Sequence, residues 1–239
     1  MTDLAINIEK LCKSFAGIQV LNEIDLTVNQ GEFIGLIGVN GAGKTTLIKC
    51  LLDFCDITSG KIEIFGTVHT KKEARENLVF LPERFMPPYY LTGKDFLVYM
   101  TELHGVEYSN KKVTDLFKIL DLELSALLKP VREFSKGMAQ KLGLASCLLS
   151  DKDLMIFDEP MSGLDPKARV YLKQHLMALK QAGKTVFFST HLLVDVEALC
   201  DRIAILHEGC IRFNGTTEEC KETFKADNLE QAYLACVGA

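Results

Sequence analysis

A chain of 239 residues, 48% hydrophobic and 25% charged, suits one large domain or two small lobes and is too apolar for intrinsic disorder. Its 27 basic and 32 acidic residues leave a net charge of −5, which argues against a nucleic-acid backbone as the main partner. One bound nucleotide remains compatible with that charge, because a phosphate pocket is local.

Ile6 and Ile8, then Leu26 and Val28, alternate with polar neighbours and predict half-buried strands. A short apolar run over 32–37 follows, then a glycine-rich turn and helical spacing over 45–52. Residues 61–66 and 78–81 predict further strands. Pro82, Pro87 and Pro88 mark a loop. The next stretch is mainly helical, clearest over 95–104 and 112–120, with Phe96, Tyr99, Met100 and Leu103 expected on one face. Beyond it come a strand over 154–157, a helix over 166–181, a strand over 185–188, and a hairpin of 203–206 with 210–213 about Gly209. The tail from Thr217 reads as polar helix. Strand–helix alternation with a helical insert predicts an α/β core carrying a second lobe.

Eight cysteines, at 12, 50, 55, 147, 200, 210, 220 and 236, include no C-x-x-C pair, so neither a zinc ribbon nor a thioredoxin-type site is expected. They are expected to act as small core hydrophobes, with Cys50 and Cys55 flanking a helix end without a partner. The start has no signal-peptide form, so a reduced, cytosolic chain is expected. Apolar runs fall far short of the roughly 20 residues that span a bilayer. Any membrane role would pass through a partner.

Three segments carry chemistry. Gly38-Val39-Asn40-Gly41-Ala42-Gly43-Lys44-Thr45 fits G-x-x-x-x-G-K-[ST] between a strand and a helix. Glycines there let backbone N–H groups face phosphate oxygens, and the helix N-terminus adds its positive dipole end. Lys44 can then reach the β- and γ-phosphates and the Thr45 hydroxyl can ligate Mg²⁺, so a nucleoside-triphosphate site is expected. Leu154-Met155-Ile156-Phe157-Asp158-Glu159 is an apolar strand ending in two carboxylates. Asp158 suits Mg²⁺, directly or through water, and Glu159 suits the polarisation of an attacking water. Phe134-Ser135-Lys136-Gly137-Met138 opens a helix, for which Ser135 alone reads as an N-cap.

The order and spacing of these segments resemble the nucleotide-binding subunit of an ATP-binding cassette (ABC) transporter, over about residues 6–215. The resemblance implies an α/β fold: a P-loop NTPase core with an N-terminal antiparallel β-subdomain and an inserted α-helical subdomain. The core lobe would span about 1–83 and 150–225, the helical lobe 84–149, and a short helical tail would close the chain. Gly38, Asn40, Gly41, Ala42, Gly43, Lys44, Thr45 and Thr46 then lie in the Walker A loop, and Asp158 and Glu159 end the Walker B strand. Phe134 to Met138 matches the signature, with Ser135 and Gly137 as γ-phosphate contacts. Ser162-Gly163-Leu164-Asp165 matches the D-loop, His191 the switch histidine, and Phe15 the aromatic that stacks on adenine. The implied cofactors are ATP and Mg²⁺. Thr45, Asp158 and Glu83 would serve the metal, and Glu159, His191 and Lys44 catalysis.

The same resemblance implies a transmembrane permease partner, a second copy or a homologous ATPase subunit, no nucleic acid, and a place on the cytoplasmic face of the inner (plasma) membrane. Because one copy's signature closes on another's Walker A loop, each chain would hold two incomplete halves. Three positions depart from the family pattern: Lys136 replaces Gly, Met138 replaces Gln, and Glu83 in Leu81-Pro82-Glu83-Arg84 stands where the Q-loop has Gln. Glu83 is either a metal-shell group or a loop carboxylate paired with Arg84 or with solvent. The variant signature is similar to that of the drug- and polysaccharide-exporter (ABC-2 type) branch, which implies export. The alternative is a soluble cassette, such as a metal-cluster assembly or translation-associated factor. A single cassette without heptads disfavours the ribosomal and DNA-repair types. A GTPase would want N-K-x-D, but Asn110-Lys111 is followed by Lys112-Val113.

Overall fold

The computed structural model describes residues 3–238. In chain order, the elements are β1 (Leu4–Phe15), β2 (Ile18–Asn29), β3 (Phe33–Ile37), α1 (Lys44–Leu51), β4 (Ser59–Ile64), β5 (Thr67–Val68), β6 (Leu78–Leu81), α2 (Gly93–Leu103) and α3 (Asn110–Ile119). They continue with α4 (Lys136–Leu149), β7 (Leu154–Asp158), α5 (Pro166–Gln181), β8 (Thr185–Thr190), α6 (Leu193–Leu199), β9 (Arg202–His207), β10 (Cys210–Gly215), α7 (Thr217–Thr223) and α8 (Leu229–Val237).

Two sheets form. The first is antiparallel, in the order β2-β1-β4-β5; the second runs β10-β9-β3-β8-β7-β6, parallel except for β10 at its edge. Side chains alternate across a strand, so a strand covered on both faces feeds two cores. Ile34, Leu36, Leu154, Ile156 and Phe187 pack with the small sheet and with Leu47, Ile48, Cys50 and Leu51 of α1. Their neighbours Phe33, Ile37, Met155, Phe157, Val186 and Phe188 pack on the other side with the helices, including Leu142 and Ala145 of α4 and Leu172 of α5. The α/β fold with an antiparallel sheet and a helical insert is therefore as the sequence predicts.

The helical segment differs in one detail. On α2, Phe96, Leu97 and Thr101 are buried, while Tyr99 and Leu103 are 54% and 64% exposed. The buried face is turned toward Leu97 and Thr101 because the Thr101 hydroxyl donates back to the carbonyls of Leu97 and Val98, at 3.0 and 2.9 Å. A polar residue satisfied inside its own helix can enter a core that an apolar-stripe reading denies it.

Two ion pairs tie the helical segment to the start of α5. Lys141 Nζ lies 2.8 Å from Asp165, and Lys167 Nζ lies 2.6 Å from Asp121. The Lys141 contact, with the Ala168 amide behind it, holds the Asp165 carboxyl down to about 2. A depressed carboxyl contributes its stability above its ordinary value, near 3.8, and loses it as pH falls toward about 2. The tie is thus intact at neutral pH. No helix among the described residues is long and apolar enough to cross a membrane.

Candidate functional site

Ligands of open α/β sheets bind beyond the carboxyl ends of the strands. Here β3, β8 and β7 are adjacent, and their register aligns Leu36 and Asp158 with Ser189 and Ile37 with Thr190. The three strands therefore deliver Gly38, Asp158-Glu159 and His191 to one end of the sheet. A cavity of about 370 Å³ opens there, lined by Asn40, Gly41, Gly43, Lys44, Thr45, Thr46, Glu83, Asp158, Glu159 and His191 among others.

Backbone space shapes the loop. A Cβ on Gly38 would stand 2.4 Å from the carbonyl oxygen of Leu206, and Gly43 holds φ at 109° as it enters α1. Gly38→Ala should therefore cost about 1–3 kcal/mol of overpacking and displace the loop. Thermal unfolding should show a lower midpoint, with weakened nucleotide binding beside it. An unchanged midpoint would mean that β9 yields freely.

Lys44 is only 7% exposed, and its ammonium donates to the carbonyls of Gly38 at 2.6 Å and Val39 at 3.3 Å. It also lies 3.8 Å from one oxygen of Glu159, whose other oxygen is 3.0 Å from His191 Nδ1. Asp158 is held on both oxygens: Ser189 Oγ donates to Oδ1, and Thr45 Oγ1 donates to Oδ2 at 2.9 Å. Glu159 has φ of 52°, a left-handed value that side chains seldom adopt. Ser189 pins it, since the Glu159 amide donates to the Ser189 carbonyl and hydroxyl at 3.2 and 3.1 Å. The left-handed turn lets consecutive carboxylates enter one pocket instead of opposite faces. His191 is set by a turn in which the Leu192 amide donates to Thr190 Oγ1 at 3.0 Å.

Mg²⁺ takes hard oxygen ligands, usually one or two protein groups plus substrate phosphates and water. The Thr45 hydroxyl and Asp158 carboxylate, already paired, supply such a set, with the Glu83 carboxylate in the same cavity. Among the described residues Glu83 makes no ion pair, so the Arg84 pairing is not formed. Ala42, within the loop, is buried.

Gly38 and Ala42 belong to the loop without lining the cavity, and three further predicted residues lie away from it. Phe15, 45% exposed, ends β1 with the Lys13 ammonium 4.5 Å from its ring centre. Ser135 caps α4, accepting from the Met138 amide at 3.2 Å, and neither it nor Gly137 lines the cavity. A Cβ on Gly137 would stand 3.0 Å from the Gly163 carbonyl, which places the start of α4 against the turn after Glu159. Sequence reasoning gave no role to Val20, which lines the cavity, or to Ser189, which grips Asp158; Ser162, which opens the D-loop match, lines the cavity as well. Val20 belongs to no motif and arrives only because the β1–β2 hairpin folds over the loop.

The profile of the ABC transporter family matches residues 21–162, more than half of the chain and the whole path from hairpin to Ser162. The chain belongs to the ABC transporter family. This cassette is 37% identical over 205 residues to an uncharacterized ABC transporter ATP-binding protein of Synechocystis, covering 84% of this chain and 58% of that one. It is 30% identical over 223 residues to the ABC transporter ATP-binding protein NatA of Bacillus subtilis, covering 91% and 90%. The cassette thus spans about three fifths of the Synechocystis relative but nearly all of NatA. A solved structure described as an ATP-binding subunit of an ABC transporter superposes with a TM-score of 0.86 at 28% identity, covering 97% of this chain and 99% of that one.

Proposed function

We propose that this chain is an ATP-hydrolysing, nucleotide-binding subunit that dimerises on ATP and powers a separate membrane-spanning permease in the export direction. One observation carries the reading: Lys44, Thr45, Asp158, Glu159 and His191 converge on one cavity of about 370 Å³ beside a Gly-rich loop.

The division of labour follows from which atoms are free. Both oxygens of Asp158 are engaged by hydroxyls, so it holds and orients, serving Mg²⁺ together with Thr45. Mg²⁺, when bound, offsets phosphate charge and aligns the β- and γ-phosphates. Glu159 faces the cavity, its carboxylate meeting Lys44 and His191 among the described residues, which suits the base that takes a proton from the attacking water. Arriving phosphates take over the Lys44 ammonium from its carbonyl partners. His191, at the exposed rim, orients Glu159 through Nδ1 and contacts the γ-phosphate. Phe15, with its half-exposed ring, stacks on adenine.

Ser135 and Gly137 lie outside their own chain's cavity, which favours closure by a second copy: its signature completes the γ-phosphate contacts. Asn40, Gly41 and Thr46 contribute loop contacts on the first copy. The segment that begins with Glu83 in the cavity ends in exposed Met86, Tyr89 and Tyr90, and exposed Tyr99 and Leu103 follow on α2. Such side chains suit a partner surface, and the permease docks there, holding the subunit on the cytoplasmic face of the membrane. Support for export comes from the Ser-Lys-Gly-Met signature and the Leu-Pro-Glu segment.

The test is phosphate release from ATP with and without Mg²⁺. Metal-dependent release supports the reading, and its absence in a chain that binds ATP contradicts it. Glu83 is tested in the same assay. As a metal-shell group it should tolerate Glu83→Gln, whereas Glu83→Ala should raise the Mg²⁺ concentration needed for half-maximal turnover. Wild-type rates for both variants across a Mg²⁺ titration would leave Glu83 a solvated loop carboxylate.

A further inference from the structure

Cys50 and Cys55, expected to stand without partners, are brought together: their sulfurs are 3.5 Å apart. The cause is local. Helix α1 ends in a reversal where the Phe54 amide donates to the Lys49 carbonyl at 2.8 Å and the Asp53 amide to that of Cys50 at 3.1 Å. This pair of bonds, with Asp53 left-handed at φ 60°, is a Schellman ending that turns the chain back along its own last turn. Arg75 anchors the reversal through Asp53 Oδ2 at 3.2 Å. Cys50 is buried and Cys55 half-buried, so only the second thiol meets solvent readily.

The segment after Cys55 leads to the nucleotide site. The carbonyl of Asp56 accepts from the Lys13 ammonium, which stands over the Phe15 ring. Thr58 is tied to the same strand end: its amide donates to the Cys12 carbonyl, and its hydroxyl accepts from the Ser14 amide, both at 2.9 Å. On the other side, Cys50 lies in the helix that continues the phosphate loop. One thiol pair thus joins the two elements that the proposed function sets at the nucleotide's base and phosphates.

We propose that Cys50 and Cys55 form a reversible disulfide by exchange with a low-molecular-weight disulfide, and that closing it loosens the Lys13–Phe15 platform. The Cys55 thiolate attacks one sulfur of the small disulfide, forming a mixed disulfide on Cys55 and releasing one small thiolate. The Cys50 thiolate then attacks the Cys55 sulfur, forming the internal bond and releasing the second small thiolate. Two electrons pass from the protein sulfurs to the small disulfide, and the two thiol protons end on the released thiols. Burial, together with the hydrogen bond shared with Cys55, pushes the Cys50 thiol up to about 12, so the second attack is the slow one. Closure must draw the sulfurs from 3.5 Å to the roughly 2.05 Å of a disulfide, and the side outside regular structure is the partly exposed stretch carrying Asp56.

The redox site stands independently of the ATPase reading, and its coupling to nucleotide rests on it. The full chain is treated with oxidised glutathione, then examined by intact mass, alkylation and peptide mapping. The expected product has lost two hydrogens, carries a Cys50–Cys55 linked peptide, and is reversed by dithiothreitol. Cys50→Ser should instead stop with one glutathione on Cys55, and Cys55→Ser should give no linked peptide. Links formed elsewhere, or Cys50 and Cys55 both still open to alkylation, overturn the site. For the coupling, a fluorescent ATP analogue is titrated into the oxidised and reduced chain. Affinity should weaken about two- to fivefold on oxidation, the size of an exposed cation–π contact, and Cys55→Ser should abolish the difference. Equal affinities in a properly linked protein overturn the coupling. A chain that binds no nucleotide in either state counts against the ATPase reading instead, with the mass result still deciding the disulfide.

Discussion

Lys44→Ala is expected to lower ATP turnover by about 10²–10³-fold, the usual loss when one preorganised charge-stabilising donor is removed from a reacting centre. Among the described residues that line the cavity, Lys44 is the one lysine or arginine, and its buried ammonium lies 3.8 Å from Glu159. On the proposed roles, its removal takes away a phosphate contact and leaves the Glu159 carboxylate without its lysine counter-charge. The Gly38 carbonyl loses its 2.6 Å partner too, so thermal unfolding should accompany the assay to separate lost catalysis from a lost fold. A folded variant that hydrolyses ATP at near the wild-type rate would remove Lys44 from the mechanism.

Glu159→Gln should leave ATP binding intact and reduce turnover by about 10²–10⁴-fold, the range for a general base. Glutamine keeps the reach of the side chain and can still meet His191, but it cannot take a proton from water. ATP then persists between the loop of one copy and Ser135 and Gly137 of another. The variant should elute from a sizing column as an ATP-dependent dimer. Adding Ser135→Arg should return it to monomer, because bulk and charge then occupy the γ-phosphate contact. A variant that turns over normally and stays monomeric with ATP would make Asp158-Glu159 an ordinary strand end.

Much of this site is legible in the sequence because its residues are contiguous or lie just beyond apolar runs. Gly38 to Thr46 is one motif, and Asp158 and His191 follow strands that their apolar residues announce. Side-by-side placement of those strands is what the sequence withholds. Ser189 grips Asp158 only because β7 and β8 are parallel neighbours in a particular register. Val20 reaches the cavity by a hairpin fold-over that no local pattern encodes. The turned face of α2 was hidden because an apolar-stripe reading excludes Thr101, whose hydroxyl is satisfied inside the helix. Cys50 and Cys55 meet through a left-handed Asp53, a conformation more often announced by glycine.

Subunit sharing of the site can be measured by mixing two chains that are each inactive. A Lys44→Ala chain keeps its signature, and a Ser135→Arg chain keeps its phosphate loop. If signature and loop act across two copies, a mixed dimer rebuilds one complete site from the Ser135→Arg chain's loop and the Lys44→Ala chain's signature. Turnover should rise above that of either chain alone and peak near equal amounts. Turnover that stays at the sum of the separate chains at every ratio would contradict a site completed by a second copy.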